Sequence, residues 1–264
     1  GCESRCCPGN FCFKIFLMND RFLKQLIYLL IFLSPFLIFL FLKTYTVLKP
    51  EPTCFDNIKN QGEEDIDCGG PCPPCEIKNL DPLIKYPVKF VKYPDESIDV
   101  FAKVFNPNKE WSLKELEYSF KFYDKNNKLV FQTEKKKIPL SNNETKYIVE
   151  QNLKIPYFEK IELELIIDPF KWIKEQKIKP DLIYYEPKII KNNLNQNILK
   201  FSVFNNSIYD YSNIEGLVFL YNENKEILGI IKFNLEIKEK ELKEINLIVP
   251  FNIEPKSVEI YFQN

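Results

Sequence analysis

The sequence predicts a mainly β protein, with two tandem antiparallel β-sandwiches following one N-terminal transmembrane α-helix and a small cysteine-rich module. Three observations predict this. An uncharged apolar run, LIYLLIFLSPFLIFLFL, occupies 26–42. Four cysteines crowd into 54–75. Beyond them, segments that alternate apolar and polar residues recur in the same order, offset by about a hundred residues.

The apolar run comes first in the chain. At about 1.5 Å per helical residue it covers roughly 26 Å, and with Phe22 and Leu23 it reaches the ~30 Å hydrocarbon core of a bilayer. It has no polar face, which a core helix of that length would show. Pro35, in mid-run, is a kink that a bilayer helix tolerates. Arg21 and Lys24 on one side nearly balance Lys43 and Lys49 on the other, so orientation rests on two further features. The cysteine cluster after the helix suits an oxidising compartment. Met18 opens MNDRFLKQ, which has the form of the basic n-region of a signal sequence. The exit, KTYTVLKPEP, carries no small-residue cleavage site. These features predict an uncleaved signal anchor over 18–49, embedded in lipid through 26–42, with the C-terminal bulk outside the cytoplasm. A cleaved signal peptide is the alternative. Residues 1–17 then form a non-native or disordered extension. Its Cys2, Cys6, Cys7 and Cys12 lack the paired spacing of structural zinc sites, and Arg5 stands where myristoylation wants Ser or Thr.

Composition narrows the functions. Lys, Ile, Asn, Phe, Leu and Glu dominate, alanine occurs once and glycine seven times, the bias of an AT-rich genome. The net charge is −1 with the signs interspersed, which argues against nucleic acid as a partner. Histidine is absent, which removes the commonest general base, the Ser-His and Cys-His nucleophile pairs and every histidine-containing metal centre.

The module over 50–80 is built on Cys54, Cys68, Cys72 and Cys75. A segment this rich in Gly, Pro, Asp and Asn cannot form an apolar core and needs staples to be ordered. Outside the cytoplasm two disulfides are expected, with three pairings open; a four-cysteine zinc knuckle is the competing assignment. Asp56, Asn60, Glu63, Asp65 and Asp67 supply hard oxygen ligands for calcium, with Gly62 and Gly69 allowing sharp turns, although the spacing is not that of an EF-hand. The alternative is a solvated acidic turn pinned by disulfides. The pattern C-x-D-x-I-x-N-Q-G-E-x-x-x-D-C-G-G-P-C-x-x-C, carried by Asp56, Ile58, Asn60, Gln61, Gly62, Glu63, Asp67, Gly69, Gly70, Pro71 and the four cysteines, resembles a short motif. That motif recurs just outside the membrane in surface proteins of bacteria and some archaea, beside many different domains. Asn57 departs from it, standing where Gly is expected.

The rest divides into a first sandwich over 81–168, a linker over 169–182 and a second sandwich over 183–264. Val104-Phe105-Asn106-Pro107-Asn108 answers Val203-Phe204-Asn205-Asn206-Ser207, and LEYSFKFYDKNNKLV from Leu116 answers IEGLVFLYNENKEIL from Ile214. LKIP ending at Pro156 answers LIVP ending at Pro250, and IELEL from Ile161 answers VEIYF from Val258. Within the copies, Ile98, Val100, Ala102 and Val104 alternate with Asp99, Phe101 and Lys103, which puts the first set on a core and the second towards water. Leu116, Tyr118, Phe120 and Phe122 are likewise inward, as are Leu199, Phe201 and Val203. Tyr123, Tyr157, Tyr184 and Tyr185 join Phe101 as expected exposed aromatics. Phe105, Asn106, Pro107 and Asn108, answered by Phe204, Asn205 and Asn206, resemble two immunoglobulin-like families, the FxLYN domains and the late-embryogenesis-abundant-like sandwiches. That resemblance implies immunoglobulin-like domains with no catalysis as a class. The asparagines are expected to form turns through local backbone bonds.

Trp172 in the linker is expected either to pack in a crease between the sandwiches or to anchor a partner. No glycosidase-like carboxylate pair, nucleophile elbow or phosphate loop stands out. The expected function is therefore non-catalytic: a membrane-anchored envelope protein presenting two sandwiches to a protein or surface-polymer partner. An accessory subunit of a larger membrane or surface complex, of pilus or secretion type, is the alternative.

Overall fold

The computed structural model describes residues 20–48, 53–155, 157–175 and 179–263. The extension over 1–17, Met18 and Lys49 lie outside the described residues. Helix α1 runs Asp20–Leu48, and within it Leu23–Thr44 is long and apolar enough to cross a membrane. Pro35 has no N–H to offer the carbonyl one turn back, that of Ile31. The neighbouring Ser34 hydroxyl donates to that carbonyl instead, at 3.0 Å. Thr44 likewise turns its hydroxyl inward onto the Leu40 carbonyl at 2.9 Å. The helix thus satisfies its polar groups internally, as a lipid setting requires.

The cysteine module follows and closes in a short 3-10 turn, Cys75–Asn79. The first sandwich contributes β1 (Ile84–Lys85), β2 (Lys89–Lys92), β3 (Ile98–Phe105), β4 (Trp111–Tyr123) and β5 (Leu129–Gln132). It continues through β6 (Lys136–Leu140), β7 (Thr145–Leu153), β8 (Lys160–Ile167) and β9 (Trp172–Lys174). The second contributes β10 (Leu182–Lys191), β11 (Asn197–Asn205), β12 (Tyr211–Tyr221), β13 (Ile227–Ile237), β14 (Leu242–Ile248) and β15 (Ser257–Gln263).

Every strand pairing is antiparallel, and the pairings of the first sandwich recur in the second. In the first, β3 lies between β1/β2 and β7, and β4 lies between β5/β6 and β8. In the second, β11 lies between β10 and β14, and β12 between β13 and β15. This is the A-B-E against C′-C-F order of an immunoglobulin-like sandwich. Registers agree as well: Val104 faces Lys146 as Val203 faces Lys243, and Phe120 faces Leu163 as Val218 faces Ile260.

The matched asparagines explain part of this likeness. Asn106 is fully buried, and its amide donates to the carbonyls of Trp111 at 2.7 Å and Ser141 at 3.0 Å. Asn205, also fully buried, donates to those of Tyr209 at 2.7 Å and Lys238 at 2.9 Å. In each case the side-chain oxygen accepts the N–H two residues on, from Asn108 and Ser207. A buried amide with both ends satisfied welds two loops to the end of the sheet. The local turn expected for these residues is present, and a long-range clamp is added to it.

Each sandwich has its own core. Val100, Ala102, Val104, Leu116, Phe120 and Leu163 meet in the first; Leu199, Phe201, Val203, Ile214, Val218 and Ile260 meet in the second. A third core lies between them, formed by Val91, Tyr93, Phe101 and Val149 of the first sandwich with Leu217, Phe219 and Ile230 of the second. The β2-β3-β7 and β13-β12-β15 sheets therefore bury both faces, and the two sandwiches, as described, form a stack of four sheets. This corrects the expectation that Asp99 and Phe101 face water: they are 2% and 6% exposed. Tyr157, Tyr184 and Tyr185 are exposed as expected, and Tyr123 is half-buried.

Phe120 sits at the centre of the first core with no exposed surface. Phe120→Ala is expected to lower stability by about 3–5 kcal/mol in chemical denaturation, since the cavity cannot collapse between two sheets. A loss under about 1 kcal/mol would mean that the site relaxes around the void.

Candidate functional site

In the module, Cys54 bonds to Cys72 and Cys68 to Cys75. All four sulfurs are thereby used, which overturns the zinc-knuckle alternative. The loops they close span 18 and 7 residues, and closing a loop of about 15 residues is worth on the order of 3 kcal/mol. Between the bridges the chain passes through repeated left-handed turns at Asn57, Gln61, Gly62, Asp67, Gly69 and Gly70. Gly70 has no room for a side chain, because a Cβ there would stand 2.3 Å from the Gly62 carbonyl oxygen. Asn57, the departure from the motif, has φ 59, a conformation that Asn tolerates better than most residues with a Cβ.

Such turns leave backbone N–H groups pointing inward, and the acidic residues accept them. Asp67 takes the N–H groups of Asp56 and Asn57, both at 3.0 Å. Asp56 takes the Ile58 N–H at 2.9 Å and the Asn60 amide at 2.8 Å, which holds its carboxyl below the usual range. Glu63, 5% exposed, takes those of Asn60 and Asp67, both at 3.2 Å. Its second oxygen lies 3.1 Å from the bonded Cys72 sulfur. Asp65 points to solvent. Of the five residues expected as calcium ligands, Asp56, Glu63 and Asp67 staple turns and Asp65 is exposed, while the buried Asn60 side-chain oxygen has no hydrogen-bond partner among the described residues.

Trp172 does not pack in a crease between the sandwiches. It starts β9, opposite Leu113 of β4, and packs half-buried on the first core. The linker thus contributes a strand to the outer sheet of the first sandwich, on the side away from the second.

The surface between the sandwiches is the most elaborated part of the molecule. At one point on the seam, the Tyr93 hydroxyl donates to Asp99 at 2.8 Å and accepts the Ile230 N–H at 3.2 Å. Gln151 donates to Asp99 at 3.1 Å and to the Ile230 carbonyl at 2.9 Å. At another, the Gln263 amide pairs with the backbone of Tyr147 as a peptide group would, accepting its N–H at 2.9 Å and donating to its carbonyl at 2.8 Å.

Beside these lies a cleft of about 410 Å³ whose walls include Tyr86, Lys89, Lys103, Tyr147, Tyr221 and Tyr261. The Lys103 ammonium stands 5.5 Å from the ring centres of both Tyr86 and Tyr147. Tyr221 and Tyr261 both donate to Glu259 at 2.9 Å. Burial and the Glu259 charge raise both phenols, just as burial and Asp99 raise Tyr93. None of these cleft residues was expected as a site. The available signal was the run of aromatic residues at outward strand positions, which an exposed sheet face would not carry.

Searched against known protein families and curated proteins, the chain matches none. The resemblances of the cysteine motif and the sandwiches therefore rest on the quoted residues alone.

The raised phenols give a pH dependence with a definite sign. A tyrosine whose folded pKa lies above its unfolded value of 10.0 contributes stability fully present below that pH and lost as pH rises beyond it. Tyr93, Tyr221 and Tyr261 should stay protonated in alkaline titration until the fold opens. Tyrosinate absorbance should then rise in two stages, the second coinciding with loss of β-sheet circular dichroism. A single stage completed while the fold is intact would contradict this placement.

Proposed function

We propose that the chain is a single-pass, membrane-anchored envelope protein that holds its two sandwiches outside the cytoplasm for adhesion, scaffolding or assembly, and that it acts by binding. The observation that carries this reading is the sequence of stiff parts beginning at the membrane. An apolar helix is followed within a few residues by a disulfide-stapled module, and then by two sandwiches joined through a shared apolar core. The disulfides support an oxidising compartment for everything after the helix. The module also touches the first sandwich, where Phe55 meets Phe170 edge to face with ring centres 6.2 Å apart. Such a construction transmits position and load, which suits a presenting or bridging part. The recurrence of strand pairings, registers and buried asparagines supports duplication of one ancestral domain.

Membership of a larger surface complex is the second reading. It is favoured by the outer sheet of the second sandwich, where β10 and β14 expose Ile183, Tyr185, Ile190 and Ile248. Exposed apolar residues on edge strands are a common basis of assembly contacts.

The topology is tested on intact cells carrying the full chain with different epitopes at its two ends. Protease added outside should remove the C-terminal epitope and spare the N-terminal one until the membrane is permeabilised. Protection of the C-terminal epitope in intact cells would overturn the reading.

A further inference from the structure

The cleft between the sandwiches has the makings of a binding site, and its chemistry is specific. Phe101 and Phe219 form part of its lining, and a second hollow of about 620 Å³ continues from it, sharing Lys89, Phe101, Tyr221 and Ile227. The volume of either hollow is in the range of small-ligand sites. Among the described residues, neither Lys103 nor Lys89 has a carboxylate within ion-pair distance. Lys103 is instead steadied by two aromatic faces, an arrangement that fixes an ammonium without using its N–H donors. Of the carboxylates on its walls, Glu259 is engaged by two tyrosine hydroxyls and Glu226, in the second hollow, accepts the Asn222 amide at 2.7 Å.

The central strands of the cleft offer no free main chain to an incoming ligand. Lys103 and Phe101 lie on β3, paired on both sides by β1/β2 and β7, and Tyr221 lies on β12, paired by β13 and β15. Lys89 and Ile227, by contrast, lie on β2 and β13, which among the described residues pair on one side only, so an extended peptide finds main chain only at those edges. Over the central strands recognition comes from side chains: unpaired amines, phenol oxygens and aromatic faces. We propose that the cleft binds an acidic oligosaccharide, with an anionic substituent of one sugar on the Lys103 and Lys89 amines and the sugar rings against Tyr86 and Tyr221. This proposal deepens the reading of a surface-polymer partner and rests on it for its biological setting. Binding by the purified chain is indifferent to sidedness, so a failed titration leaves the anchor topology standing, and a reversed topology leaves the affinity standing.

The test is calorimetric titration of the full chain in nanodiscs with two acidic tetrasaccharides, tetragalacturonate and a hyaluronan tetramer. Neutral maltotetraose and a tetraglutamate peptide serve as controls. At least one acidic sugar should bind, more weakly as salt is raised, while maltotetraose does not. Lys103→Gln should weaken that binding by about tenfold or more, the cost of losing a charge-assisted contact, and Tyr86→Ala should weaken it as well. Tyr86 is 42% exposed and belongs to none of the three cores, so the latter variant should fold and remain informative if Lys103→Gln does not. Absence of binding by both acidic sugars would overturn the proposal. So would equal affinity for tetraglutamate, or an affinity unchanged in both variants.

Discussion

In an isolated sandwich the outward side chains of β3 and β12 would meet water. Here Phe101 of one meets Phe219 of the other with ring centres 5.3 Å apart, and Tyr147 packs on Phe219 at 4.8 Å. Burying a side chain of this size contributes roughly 1.5–3 kcal/mol, so a cluster of such residues is comparable to the core of a small domain. The remaining features of the seam follow from that apolar contact. Asp99 can sit 2% exposed only because Tyr93, Gln151 and the Asn152 N–H all donate to it. A buried carboxylate without such donors would cost more than the contact returns. The polar locks fix how the two apolar faces are registered, and the cleft exists where those faces part.

Nearer the membrane the physics differs. The module has too few apolar side chains for a core, and its order comes from two short covalent loops with carboxylates turned onto backbone N–H groups. The join to the first sandwich is made at Asn108, whose side chain pairs with both backbone groups of Asp81 at 2.9 Å. Asn206 does the same work at the entry to the second sandwich, meeting the Asp181 carbonyl and carboxylate. Each β unit is thus tied to whatever precedes it by an asparagine one or two positions beyond the buried one.

Much of this was legible in the chain. Alternation located the inward set correctly at Val100, Val104, Phe120, Leu199 and Val203, because a period of two has one structural meaning when the residues are β-branched or aromatic. The four cysteines signalled disulfides, while their pairing lay beyond sequence, since three pairings close equally plausible loops. Phe101 and Asp99 were misplaced because alternation says which residues share a face and not what covers the other one. Trp172 was assigned to a linker because β9 is three residues long, too short to show a period. The carboxylates of the calcium set have a structural use the sequence did not show: acidic residues near glycine turns are also what left-handed backbone needs, as acceptors for its inward N–H groups. The cleft was not foreseen because its tyrosines come from elements as far apart as Tyr86 and Tyr261.

The third core should make the two sandwiches one cooperative body. Differential scanning calorimetry of the full chain under non-reducing conditions tests it most directly. A single transition is predicted, with the van't Hoff enthalpy matching the calorimetric enthalpy, and Phe219→Ala should split it in two. Two independent transitions in the unmodified protein would contradict the account.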